Sequence, residues 1–360
     1  MPDPAILVVS PNWLGDAVMA LPAIQDVRRR FGGSRLIVAA RSSVASLFEL
    51  VPGIDDVVTL EWRGRFLTRA AMRRDVSRLQ NVHAGTTILL TNSFATAWLV
   101  KKAGIAERWG YATDLRRPLL TRAISRPSYS VHQGAYYQYL TRELGMASGP
   151  LEPEIVVSDQ QLQSGRELLL SSGWNASRPL VVMAPGAAYG TAKRWLPSYV
   201  ADVIVAVTRQ NDAQCVLVGS AGDLETAMIV RDALPADALE RVIDLTGRTS
   251  LDTLAAILSM AAACVSNDSG AMHLAAAAGA PVAALFGPTR EHETAPLPRT
   301  GRRADVLINP VWCRPCMLRE CPIDHRCMRG LKPSRVVESV VALMGTTDRR
   351  HVQRIGVATQ

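Results

Sequence analysis

The sequence predicts an α/β protein made of two doubly wound parallel sheets. Short runs such as Ala5–Val9 and Leu180–Ala184 are apolar throughout, as in strands buried on both faces. Such runs alternate with helical patterns in two separate series, and the composition changes between the series at 150–153. The 360 residues, 48% hydrophobic and 20% charged, suit two soluble domains of ordinary size. The expected domains are 1–172 and 178–345, followed by a polar tail at 346–360 without fixed structure.

In the first series, Ala5–Val9 leads through the loop Ser10–Gly15 into a helix from about Asp16 to Phe31. Further strands are expected at 36–40, 57–60 and 86–90, with a very basic helix at 66–80 and an aromatic-rich one from His132 to Gly145. A polar helix at 159–172 then runs into the linker Gly173–Pro179. The second series places strands at 180–184, 215–218, 242–245, 264–266 and 282–286, with helices at 196–210, 223–234, 251–260 and 270–279. Ligands should collect at the carboxyl ends of such strands, in a cleft between the domains.

No apolar stretch is long enough to span a bilayer, and the start lacks a basic segment followed by an apolar core. The chain therefore reads as cytoplasmic. Residues 1–150 hold 19 Lys and Arg against 11 Asp and Glu, so this part carries the whole net charge of +8. A basic half joined to a neutral half fits a polyanion on one side, whether nucleic acid, phosphorylated glycolipid or anionic membrane, or simply a solvated basic face. Four cysteines cluster as Cys313-x2-Cys316-x4-Cys321-x5-Cys327. Their spacing admits a four-thiolate zinc knuckle with His325 in reserve, or reduced thiols. Cys215 and Cys264 lie in apolar runs and read as core.

Dinucleotide, Walker A, H-E-x-x-H and G-x-S-x-G signatures are missing, and no two aspartates are spaced D-x-D to anchor a magnesium-bound diphosphate. Protein groups must then neutralise any diphosphate bound here. The run Val265–Gly279 ends a strand in small polar residues and opens an Ala-rich helix, which would turn unpaired N–H groups toward an anion. Asp268 and His273 stand beside that turn, Ser269 and Gly270 within it. The loop Pro185–Trp195 follows the first strand of this series, with small residues for close backbone approach and Lys193 or Arg194 for charge. Thr246 and Gly247 end another strand on the same crevice. In the first half, Asp16 opens a helix, where a carboxylate is favoured as the anion and is placed to take a proton from an incoming hydroxyl. Arg63, Arg65, Arg116, Arg117 and Arg122 lie on loop-like stretches as acceptor candidates, while Arg69, Arg73, Arg74 and Arg78 share one solvated helical face that would suit anionic lipid.

Four motifs occur in order: Asn12-Trp13-Leu14-Gly15-Asp16, then Ala184-Pro185-Gly186 with Lys193-Arg194-Trp195, then Asn267-Asp268-Ser269-Gly270 with His273, then Phe286-Gly287-Pro288-Thr289. Together they resemble the ADP-heptose:lipopolysaccharide heptosyltransferases over nearly the whole chain, and the cysteine segment is most similar to the heptosyltransferase II type. The resemblance implies a GT-B architecture, with donor in the second domain and acceptor in the first. It implies an inverting, metal-independent transfer of L-glycero-D-manno-heptose from ADP-heptose to the first heptose of the inner core. Asp16 would be the general base and Lys193 would neutralise the diphosphate. Asp268 would bind heptose hydroxyls; Ser269 and Gly270 would hold phosphate, with His273 supporting that turn or touching the donor. Thr246 and Gly247 would line the nucleotide side. Asn12, Trp13, Arg63, Arg65, Arg117 and Arg122 are the acceptor-binding candidates. No cofactor is required, although structural zinc at the cysteines stays open. The expected partner is an anionic lipopolysaccharide precursor at the inner face of the cytoplasmic membrane, not nucleic acid. The alternatives are a heptosyltransferase I or III type, another GT-B sugar-nucleotide enzyme such as an epimerase, and, more remotely, a zinc-knuckled nucleic-acid-binding protein.

Overall fold

The structure, a computed structural model, describes residues 4–62 and 68–355, with backbone alone for 346–355. The chain divides into two units, Met1–Val156 and Val157–Gln360. In the first, strands β1 (Ala5–Val9), β2 (Leu36–Arg41), β3 (Asp56–Leu60), β4 (Ala84–Leu89), β5 (Glu107–Tyr111) and β6 (Arg122–Ile124) form a sheet in the order β3-β2-β1-β4-β5-β6. In the second, β7 (Leu180–Ala184), β8 (Gln214–Leu217), β9 (Val242–Asp244), β10 (Ala263–Asn267), β11 (Val282–Phe286) and β12 (Ala304–Ile308) take the order β12-β11-β10-β7-β8-β9. Every neighbouring pair is parallel, so each sheet has all its carboxyl ends along one edge. Each order reverses once, between β1 and β4 and between β7 and β10, and such a reversal opens a crevice for ligands. This is the doubly wound α/β class the apolar runs implied.

The continuous apolar runs are the central strands. All five residues of β1, β7, β10 and β11 are buried, because helices cover both faces. In the second unit Val181, Met183, Leu217 and Leu285 pack with Val203, Ile204 and Val207 of helix Pro197–Asn211 and with Val336, Val340 and Leu343 of helix Pro333–Ile355. Each such side chain contributes about 1.5–3 kcal/mol on burial. Cys215 and Cys264 are core residues as expected, and burial pushes both thiols up to about 12.

Four expectations are corrected. The helix expected at 16–31 is two, Leu14–Met19 and Leu21–Arg30, because Pro22 lacks an N–H and its ring crowds the preceding turn. Helix Asp159–Ser171, assigned to the first domain, belongs to the second unit, where Gly165 lets it lie against Ala256 of helix Leu251–Ser259. The boundary is therefore at Val156, not in 172–178. Helix Pro333–Ile355 runs through the first ten residues of the supposed structureless tail. On the basic helix, observed at Arg69–Asn81, two arginines are engaged: Arg74 and Arg78 clamp Glu61, and Arg78 also pairs with Asp75. That clamp holds the Glu61 carboxyl below its ordinary range, through Arg78 first and Arg74 second. Buried Asp75 accepts the Glu61 and Trp62 N–H groups, which fastens the helix to the end of β3.

Candidate functional site

In the first unit the site begins where β1 ends. Asn12 is half-buried, and Trp13, 56% exposed, is the N-cap of helix Leu14–Met19. No side-chain cap bond forms there, so the first-turn amides and the helix dipole favour an anion, and Asp16 stands in that turn. Tyr137 donates its hydroxyl to Asp16 Oδ1 at 3.3 Å. The phenol comes from helix Gln133–Glu143, whose start is capped by His132 Nδ1 accepting the Gly134 N–H at 3.1 Å. Burial first, then the charge of Asp16, holds the Tyr137 hydroxyl well above its usual range. It is therefore a permanent donor that orients the carboxylate. Sequence reasoning missed Tyr137, because 121 positions of chain separate it from its partner.

The arginine candidates divide. Arg116 is fully buried, donating from Nε to Tyr111 O at 2.8 Å and from Nη1 to Thr91 O at 2.5 Å. Burial lowers its guanidinium to about 10, and it ties the ends of β4 and β5 together instead of meeting an acceptor. Arg122 lies over the Trp109 ring at 4.8 Å and donates to Leu144 O at 3.3 Å, which are packing contacts. Arg117 is exposed on the turn Arg117–Leu119 beyond β5. Arg63 and Arg65 lie outside the described residues.

In the second unit Lys193 and Asp268 meet beside the β7/β10 reversal, while Thr246 and Gly247 follow the edge strand β9. Lys193 Nζ lies 2.6 Å from Asp268 Oδ2, and that oxygen also accepts the Thr289 hydroxyl at 2.7 Å. Lys193 and Asp268 are 13% and 5% exposed, so the pair is largely out of water. Asp268 directly precedes Ser269, the extended N-cap of helix Gly270–Ala278, which again has no side-chain cap bond. The Ser269 hydroxyl instead meets Ser266 Oγ at 3.1 Å. His273 is buried within the helix. Thr246 Oγ1 is buried with no hydrogen-bond partner, a polar atom at the end of β9 that a ligand would satisfy. Gly247 follows it at φ +72°, in the left-handed region, and donates to Gly219 O at 2.9 Å.

Asn267 staples this crevice: Nδ2 donates to Pro185 O at 2.7 Å and Oδ1 accepts the Trp195 N–H at 3.1 Å, so one side chain pins both ends of the Lys193 loop. The small residues of that loop also have a packing reason. A Cβ at Gly186 would fall 2.3 Å from Asp223 Oδ1, and one at Gly190 would fall 2.2 Å from Arg319 O. The cysteine segment is fastened against the same loop. Tyr189 donates to Met317 O at 3.0 Å, Ala192 donates to Arg319 O at 2.9 Å, and Arg314 reaches Gly287 O, Thr289 O and Glu291. Burial, and then the neighbouring Cys313, Cys321 and Cys316, raise the Cys327 thiol. Among the described residues, no group of three or more His, Cys, Asp or Glu is placed to hold a metal ion.

Two doubly wound parallel-sheet units are the architecture of the GT-B class of sugar-nucleotide enzyme, the fold of the heptosyltransferase structure the chain matches. The profile of glycosyltransferase family 9 (heptosyltransferase) matches residues 72–326, and the chain belongs to that family. The lipopolysaccharide heptosyltransferase 2 of Salmonella typhimurium is 28% identical over 345 residues, covering 94% of this chain and 98% of its own. A lipopolysaccharide heptosyltransferase 1 of Pseudomonas aeruginosa is 27% identical over 360 residues, covering 94% and 98%. The solved structure of E. coli ADP-heptose lipopolysaccharide heptosyltransferase II has a TM-score of 0.81 at 26% identity, covering 96% of this chain and 99% of that one. The protein is thus a glycosyltransferase of GT-B fold. None of its described helices is long and apolar enough to cross a membrane.

Proposed function

We propose that the enzyme transfers heptose from ADP-heptose to the first heptose of a lipopolysaccharide inner core, with inversion at the anomeric carbon. The observation that carries the donor half is the Lys193–Asp268–Thr289 constellation against the uncapped start of helix Gly270–Ala278. A lysine ammonium has three N–H donors; one meets Asp268, leaving two for the leaving diphosphate. Main-chain amides of the helix start share that charge, with Ser269 and Gly270 at the phosphates and His273 behind them. Asp268 receives sugar hydroxyls, and Thr246 and Gly247 face the nucleotide. The acceptor oxygen bonds to the anomeric carbon as its bond to ADP breaks, and the hydroxyl proton passes to Asp16. Tyr137 keeps that carboxylate oriented. Asn12, Trp13 and Arg117 are the acceptor contacts this reading retains.

No step requires a metal ion. We read the cysteine segment as a clamp held by the hydrogen bonds of Arg314, Met317 and Arg319; stoichiometric zinc in protein purified without chelator would overturn that reading. The acceptor is an anionic glycolipid, so the enzyme works at the cytoplasmic face of the inner membrane, which the basic first half favours. Incubating ADP-heptose with core acceptors carrying zero, one or two heptoses tests the assignment. Turnover confined to the one-heptose acceptor is expected, and preference for the heptose-free acceptor would make the enzyme the type I transferase.

A further inference from the structure

The first unit holds apolar side chains out in solvent at the carboxyl edge of its sheet. Leu115 is 91% exposed and Phe94 40%. Leu115 follows β5 and Phe94 follows β4, so both leave the sheet at the edge where Asp16 follows β1. The support beneath them is built. Asp114 and Leu115 both take left-handed backbone, at φ 49° and 55°, which residues with a Cβ rarely adopt. Asp114 Oδ2 accepts the Phe94 N–H at 2.6 Å, tying the two loops together. Thr113 Oγ1 donates to Asn92 O at 3.1 Å, and buried Arg116 fixes Thr91 O and Tyr111 O below. This frame keeps Leu115 pointing outward when a flexible loop would fold it in. Trp13 and Tyr129, 56% and 62% exposed, leave the same edge, as does exposed Arg126.

We propose that this tip, Leu115 with Phe94 beside it, is the element by which the first unit docks on an anionic phospholipid bilayer. The two apolar side chains enter the interface while Trp13 and Tyr129 sit at headgroup level, where amphipathic rings collect. Arg126 meets a lipid phosphate, which a guanidinium fork binds. Charge selects the occupant: residues 1–150 carry all of the net positive charge, which complements an anionic surface. The inference deepens the reading of a lipid-borne acceptor and names the anchoring residues.

Flotation of the full chain with vesicles tests it without donor, acceptor or turnover, so its failure leaves the heptosyl-transfer reading standing. Wild type should float with vesicles of phosphatidylethanolamine and phosphatidylglycerol and remain below with phosphatidylcholine alone. Leu115→Asp, which keeps a residue tolerant of left-handed backbone, should lower the bound fraction about tenfold with an unchanged thermal midpoint. Leu115→Phe should retain binding. Failure of wild type to float, or equal flotation of Leu115→Asp, overturns the proposal. So does a dimer that Leu115→Asp splits while vesicle binding is missing, which would give the tip to a second copy of the chain.

Discussion

The two sheets share one strand order yet present opposite chemistry at the same topological place. After β1 the chain offers Asp16, half-buried and braced by the Tyr137 hydroxyl that donates to it. After β7 and β10 it offers a buried Lys193–Asp268 pair next to a helix start. The shared fold supplies the crevice, and on the proposed reading the residues on the strand-end loops decide whether it handles a proton or a diphosphate. A diphosphate site needs positive charge held in place before the ligand arrives. The pairing of Lys193 with Asp268 meets that need by fixing the ammonium in place.

The sharpest break in this comparison is Asp16→Asn, which removes the proton acceptor from one side alone. Turnover should fall about 10³-fold while ADP affinity by calorimetry stays at the wild-type value; near-normal turnover would remove Asp16 from the chemistry. Lys193→Ala strikes the other side and leaves a buried carboxylate with Thr289 but no cation. Stability in urea should drop by about 3–5 kcal/mol and ADP binding should weaken with it. The double variant Lys193→Ala with Asp268→Asn should recover the stability without recovering donor binding.

A finer test asks whether Tyr137 only braces Asp16. A hydroxyl donating to a carboxylate favours its charged form, so Tyr137→Phe should lower kcat a few-fold and move the acid limb of the pH–rate profile upward, with KM for the donor unchanged. An unmoved limb would make Tyr137 a packing residue. The smallest effect lies in the second core. Cys215 and Cys264 ionise near 12 in the fold against 9.0 for a free thiol, so unfolded chains shed these protons first. Stability should therefore decline as pH rises above 9, and less steeply in the Cys215→Ala, Cys264→Ala variant, as thermal midpoints would show.

The legible parts of the fold were its most buried ones. β1, β7, β10 and β11 have helices on both faces, so their sequences are apolar at every position and read without context. β5, β6 and β12 were not expected, and edge position alone does not explain it, since the edge strands β3 and β9 were read from their apolar residues. Glu107-Arg108-Trp109-Gly110-Tyr111 and Arg122-Ala123-Ile124 carry charges that an exposed strand tolerates. The strand-end turn and helix start were legible since they are local features, and Lys193 and Asp268 pair directly beside Ser269 and Gly270. The arginines were not, because one residue type serves as clamp, stack and free cation. Arg116 is buried among backbone carbonyls, Arg122 is exposed but lies over Trp109, and Arg117 is exposed on its turn.

By itself the sequence determined the class of fold, the buried strands of each series and the residues bordering their ends, since apolar period and capping chemistry act over a few neighbouring positions. Tertiary structure alone decided which groups became partners. It set Tyr137 on Asp16, Thr289 on Asp268, and Asn267 across the Lys193 loop. It also assigned helix Asp159–Ser171 to the second unit. Such pairings depend on how distant segments close over one another, and a hydrogen bond or buried charge gains its strength only once that closure has removed the water.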